Sequence, residues 1–219
     1  MSNQFVSADV FRQYRVEDQY LEIVNHLTSL RKHGDDHDFL QYEDAIIPLL
    51  DCNDEDIIEQ AVFTLSVYKS VKAKEKLYGV ICGEQLYEIM RGEQLYDDYD
   101  YDHLIAYTIY FYCSSYANDS QDKALLEQLF SYVINEKLEK YLRVSSVAGM
   151  IHIYYGDRMT RDDKLDAMYL GMNRYRSHED IKDLIPKLKP ILEGVKSDAY
   201  EKFLLSDLGK SLNADGNLD

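Results

Sequence analysis

The stretch that most constrains the fold is 43–69, EDAIIPLLDCNDEDIIEQAVFTLSVYK. It reads as two short antiparallel helices around an acidic turn. The first half gathers Ile46, Ile47, Leu49 and Leu50 around Pro48, and the turn is Asp51-Cys52-Asn53-Asp54. The second half sets Ile57, Ile58, Ala61, Val62, Leu65 and Tyr68 at helical spacing, with Glu55, Asp56 and Glu59 off that stripe. Asp54 suits an N-cap, and Glu55 and Asp56 suit the first turn, where the helix dipole favours negative charge. Such a pair cannot bury both apolar faces alone, so it requires neighbours of its own kind.

The rest of the chain supplies candidates. No proline occurs between Pro48 and Pro186, which leaves a long region open to helices. Residues 13–33 read as a helix with Tyr20, Leu21, Val24, Leu27 and Leu30 on one face and Gly34 as its stop. After Lys69, the residues Val71, Leu77, Val80, Ile81, Leu86, Ile89 and Met90 fit a helix that bends near Gly83. The pentapeptide Gly-Glu-Gln-Leu-Tyr occurs at 83–87 and again at 92–96. Segment 103–117, HLIAYTIYFYCSSYA, suits a strand by propensity, but its length favours a buried helix. Further helices are expected at 121–137, 138–155 (stopped by Gly156), 160–176, 177–193 and 197–210, with a turn at 118–120.

The second helix of the opening pair recurs along the chain. Ala61 and Leu65 fall on Ala106 and Tyr110 at an offset of 45, on Ser146 and Met150 at 85, and on Ala199 and Phe203 at 138. The last offset also carries Pro48 onto Pro186. Small residues thus recur where helices would cross closely, at spacings near those of helical repeats. In this pattern the chain resembles the HEAT-like helical repeat proteins over 39–208. The Ile-Pro-Leu-Leu-Asp of the first helix and the Ala-x-x-x-Leu of the second carry the likeness. The usual arginine early in the second helix appears once, as Arg143, and most linking glycines are missing. The resemblance implies an all-α superhelix of about ten helices, built of stacked helix pairs, and a role in binding macromolecules. The expected organisation is a single helical domain, 1–219. Residues 1–38 would form a cap region and 209–219 a tail without structure.

Composition bounds the function. The net charge is −16 over 219 residues, which disfavours nucleic acid and anionic membranes as partners, since both need a cationic face. No run approaches the roughly 18 apolar residues of a membrane helix. The N-terminus lacks the pattern of a secretory signal. Cys52, Cys82 and Cys113 are scattered, which suits a reducing compartment, so a cytoplasmic location is expected. Cys82 and Cys113 sit in apolar runs and read as core. His33 and His37 lie near Asp36 and Asp38 at a spacing that could hold a metal, but His33 ends a helix beside Gly34, so an exposed loop explains them better. Some HEAT-like hydroxylases bind iron through repeated His-Glu pairs; His178-Glu179 stands alone here, so that activity does not carry over. No phosphate-cradling glycine loop or nucleophile elbow is present. No catalytic residue, cofactor or metal is assigned.

Charge placement says more. Windows 33–68 and 92–122 hold ten and seven acidic residues and no Lys or Arg. The remainder is nearly balanced, unlike a chain made uniformly acidic for solubility. At offset 45 the turn 51–56 aligns with 96–101, so both acidic turns would share an edge of neighbouring repeats. The candidate partner-binding residues are Asp51, Asp54, Glu55, Asp56, Tyr96, Asp97, Asp98, Tyr99, Asp100, Tyr101 and Asp102. Tyrosines give large, rigid contact area between charges. The expected function is non-enzymatic capture of a basic protein. In size, charge and helical make-up the chain is similar to the immunity proteins of bacterial toxin systems, which implies neutralisation of a basic, nuclease-type toxin domain. The alternatives are a generic HEAT-like scaffold or adaptor, and a helical-repeat enzyme.

Overall fold

The computed structural model describes residues 5–82, 98–117, 120–156 and 185–214, with the backbone alone at 98–101, 185–187 and 211–214. The described chain is all-α, with no strand among the described residues. It divides into two compact units, 1–95 and 96–219.

In the first unit, α1 (Ala8–Phe11) and α2 (Val16–His33) precede α3 (Asp36–Ile46). A 3-10 turn, Ile47–Asp51, extends α3, and α4 (Glu55–Val67) and α5 (Lys74–Cys82) follow. The opening helix pair is therefore present, but its first helix starts earlier than expected. Asp35 caps α3 by accepting from Asp38 N–H at 2.8 Å, while Asp38 accepts from Asp35 N–H, a reciprocal capping box. Asp36, His37 and Asp38 thus lie in the first turn of a helix, not in a loop. Pro48 takes the second place of the 3-10 segment, where its missing N–H costs nothing. Asp54 is the N-cap of α4, as expected: its Oδ1 accepts from Ile57 N–H at 3.0 Å.

Helix α4 is buried around nearly its whole circumference, from Ile57 to Val67 save Gln60. Glu59, expected off the apolar stripe, is buried too, because α4 runs through the interior and has no fully solvated face below its first turn. The face of α2 also differs from the expected one. Ile23, His26, Leu27, Leu30 and Arg31 are buried, whereas Leu21 is 66 % exposed. Polar His26 and Arg31 take places on the buried face, so a stripe chosen by apolar residues, through Tyr20, Leu21 and Val24, selects the wrong side. Gly34 does close α2, but in an extended conformation (φ −79°). It is needed for clearance: a Cβ there would lie 2.7 Å from Leu30 O and 3.2 Å from Tyr68 Oη, whose hydroxyl donates to Leu30 O at 2.5 Å. Residues 71–73, expected to begin a helix, form a turn in which Val71 is exposed, and Lys69 before them has φ 53°. The bend at Gly83 and the repeated pentapeptide lie outside the described residues.

In the second unit, α6 (Asp98–Ser115), α7 (Lys123–Ile134) and α8 (Lys140–Tyr155) form the centre. Segment 104–115 is helical and almost wholly buried, so its β-branched and aromatic residues follow length and packing rather than propensity. Gly149 lets α8 approach its neighbours: a Cβ there would stand 2.8 Å from Ile109 Cγ2, 3.0 Å from Leu129 Cδ1 and 3.1 Å from Cys113 Sγ. Gly156 ends α8 in the left-handed region (φ 66°). The expected helix at 160–176 lies outside the described residues.

Beyond it, α9 (Ile185–Val195) carries Pro186 in its first turn and Pro190 inside. Two helices, α10 (Ala199–Leu205) and α11 (Asp207–Ala214), replace the single one expected at 197–210. Ser206 separates them in extended conformation. The tail expected to lack structure is helical as far as Ala214, because Asp207 starts a new helix at the corner. The recurring small residues Ala61, Ala106, Ser146 and Ala199 are all buried. The first three lie inside their helices, but Ala199 opens a helix of seven residues, so the fourth alignment does not share the register.

Candidate protein-binding surface

The acidic turn of the first unit is organised by its own chain. Asp51 closes the 3-10 segment, and its carboxylate is ion-paired with Lys76 Nζ of α5. Asp54 is occupied as the N-cap of α4. Glu55 and Asp56 are the first residues of that helix, where the N-terminal dipole stabilises them. Asp56 Oδ2 accepts from Tyr20 Oη at 2.9 Å, and this hydrogen bond is the main cause that raises the Tyr20 pKa. The turn therefore offers carboxylates held in place rather than a loose anionic loop.

The charge windows overstate how bare this surface is. Lys72 Nζ sits 2.7 Å from Asp44 and 3.2 Å from Glu43 Oε2. The hydrogen bond to Lys72 is the first cause that lowers the Asp44 pKa. Glu43 is buried and accepts from Ser70 Oγ at 2.7 Å. Lys72 and Lys76 come just after the window that contains no cation, and the turns at 69–73 bring them back onto it.

In the second unit, Tyr96 and Asp97 lie outside the described residues. Asp98, Tyr99, Asp100 and Tyr101 open α6, so they are helical and not a turn between helices. Acidic side chains in a first turn are favoured by the dipole, which lets the helix begin within the run. Asp98 corresponds to Asn53 at the expected offset, so α6 starts two residues earlier in that register than α4, whose first residue is Glu55. Asp102 Oδ2 accepts from Glu139 N–H at 2.9 Å and ties α6 to the start of α8. Asp51, Asp54, Glu55 and Asp56 share one corner of the first unit, whereas 98–102 belong to the second.

Two buried arginines escaped the reading of sequence. Arg31 is 1 % exposed. Its Nη1 donates to Thr64 Oγ1 at 2.7 Å and to Gln60 O at 3.2 Å, its Nη2 to Gln60 Oε1 at 2.5 Å, and the guanidinium lies 4.5 Å from the centre of the Phe63 ring. Its place near the end of α2 disguised it as one of the basic residues usual there. Arg143, noted only as a repeat signature, is buried in α8. Its Nε donates to Val133 O at 3.0 Å and its two Nη atoms form a bidentate pair with Asp207.

Cys113 is wholly buried, and burial pushes its thiol well above the usual range, which makes it a poor nucleophile. Cys82, expected in the core, is only partly covered. His33 and His37 are exposed. Among the described residues no helix is long and apolar enough to cross a membrane. No protein-family model matches the chain, and no curated protein or solved structure matches it.

Proposed function

We propose that this chain is a non-enzymatic, cytoplasmic binding protein that captures a basic protein through acidic helix starts, in the manner of an immunity protein neutralising a nuclease-type toxin domain. The observation that carries this reading is the concentration of seventeen acidic residues, with no Lys or Arg, in windows 33–68 and 92–122. Within them, runs of acids stand at the first turns of α4 and α6, interleaved with Tyr99 and Tyr101 in α6 alone. A cationic cleft built to hold a nucleic acid is a natural target for such a surface, and opposite charge would steer encounter. A HEAT-like scaffold is the second reading, supported by the buried small residues at matching places in α4, α6 and α8.

The test uses the partner recovered by co-purification and asks whether the complex silences that partner's activity. Asp54→Asn, Glu55→Gln and Asp56→Asn form one set of substitutions, and Asp98→Asn, Asp100→Asn and Asp102→Asn another. Asn caps a helix about as well as Asp, so Asp54→Asn retains the start of α4. Neutralisation should slow association several-fold at low salt and flatten its salt dependence. Tyr99→Ala and Tyr101→Ala should leave association unchanged and shorten the lifetime of the complex. Unchanged rates in every variant would reduce the acidic starts to solvated surface. Binding that leaves the partner active would favour the scaffold.

A further inference from the structure

The N-terminal segment lies on α2 and α3 through rings. Phe11 is buried and stacks on the His26 imidazole, with centroids 4.4 Å apart and planes at 29°. Tyr42 of α3 meets the same imidazole at 4.6 Å and 61°, and Phe5 meets it edge-on at 5.9 Å. Tyr42 Oη also donates to Val6 O at 2.5 Å, so one side chain of α3 grips both the backbone of the segment and its ring cluster. Tyr14 packs edge-on against Phe11 at 5.6 Å. His26 is thereby enclosed, and its Nε2 has no hydrogen-bond partner among the described residues.

We propose that residues 5–14 are an acid-released strap: protonation drives His26 out of its ring cage and frees the strap from α2 and α3. A charged imidazole in this place must shed water and gains no acceptor for its Nε2 proton. Attraction of the imidazolium to the faces of Phe11 and Tyr42 offsets only part of that cost. Lifting the strap returns the ring to water. It also uncovers the ring faces of His26 and Tyr42 on the first unit.

Among the described residues, the surrounding charges do not supply a counter-ion. On the strap, Asp9 is paired with Arg12 at 2.8 Å. On α3, Glu43 is turned to Ser70 and Lys72, Asp44 to Lys72, and Asp38 to the N–H of Asp35. On α2 itself, Glu22 is exposed. Tyr42, whose ring touches the imidazole, is neutral, with its own pKa raised first by burial and then by Asp38. Burial alone lowers the His26 pKa from 6.5 to about 4. A group depressed in the closed state favours closure fully above its ordinary value and loses that contribution as the pH falls. The window is thus the interval from 6.5 down to about 4. Between pH 7.5 and pH 5.5 the opening constant of the strap should rise roughly tenfold.

The test is amide hydrogen exchange of the full chain at both pH values, with each rate divided by the intrinsic rate at that pH. Protection at residues 5–14 should fall about tenfold from pH 7.5 to pH 5.5, while amides of α8 hold steady. In His26→Phe, which keeps a ring and removes the titration, strap protection should not change with pH. An equal fall in His26→Phe, or no fall in the native chain, overturns the proposal. A second measurement guards against a variant that misfolds: the His26 Cε1–H resonance of the native chain should titrate well below 6.5. An ordinary midpoint there overturns the proposal without any variant.

Discussion

Three helical glycines face three different surroundings, and alanine at each should act with a different sign or size. Gly194 of α9 has nothing within 4 Å of where a Cβ would stand. Removing its backbone freedom should stabilise the protein by about 0.8 kcal/mol. At Gly149 the new methyl meets the far ends of Ile109, Leu129 and Cys113 side chains, which can yield in part. Overpacking costs about 1–3 kcal/mol and the gain in helix propensity returns about 1 kcal/mol, so a net loss of about 1 kcal/mol is expected. At Gly209 the Cβ would fall 2.0 Å from the backbone oxygen of Phe203. Backbone cannot yield in this way, and the corner between α10 and α11 should lose about 3 kcal/mol. Urea unfolding of the three variants should rank them Gly194→Ala, Gly149→Ala, Gly209→Ala from most to least stable. The sequence does not rank these glycines: Gly149 and Gly209 stand in segments that read as helix, and Gly194 directly follows one. What differs is the chain opposite.

At the scale of elements, the second unit is closed by one polar junction. Arg143 of α8 reaches Val133 O at the end of α7 and both carboxylate oxygens of Asp207 at the start of α11. Asp207 N–H donates to Glu136 Oε1 at 2.9 Å, so the corner that follows α7 is tied in as well. The Arg143 guanidinium beside Asp207 is the chief cause that holds its carboxyl below the usual carboxylate range. Asp207 is 59 % exposed, so the pair is screened on one side. Asp207→Asn should cost about 1–2 kcal/mol, most of it from leaving a buried guanidinium poorly matched. A depressed carboxylate contributes above its ordinary pKa and loses that contribution as the pH falls through the folded value. The stability gap between the native chain and Asp207→Asn should thus be full at pH 6 and narrow below about pH 4, read from urea midpoints. A gap that persists unchanged at pH 3 would assign the effect to packing instead. Elements with a strong local cause were legible: Asp54 caps α4, Gly156 ends α8, and 104–115 is a buried helix. The face of α2 was not, because the polar His26 and Arg31 occupy buried places on it while Leu21 is exposed. Nor was the corner at Ser206, which depends on the close approach of Gly209 to Phe203.

For the whole molecule, charge is the dominant property. A net charge of −16 repels itself, and the Lys72 and Lys76 pairs relieve that only locally. Added salt shortens the Debye length from ~30 Å at 0.01 M to ~8 Å at 0.15 M, so the melting temperature should rise by a few degrees over that range. A fall in melting temperature would mean that the ion pairs outweigh the repulsion. Sequence alone determined the all-α class, the approximate order of helices and the excess of negative charge, because period, caps and composition act over a few residues each. It also placed the acids of 51–56 and 98–102 near helix starts, through the affinity of carboxylates for the N-terminal dipole. Tertiary structure decided how those acids are spent. Asp51 goes to Lys76, Asp56 to Tyr20 and Asp102 to the start of α8. It likewise enclosed His26 among rings from two separate stretches of chain, 5–14 and α3. The partners of those acids lie 25 to 37 residues away in sequence, and no local pattern encodes such meetings.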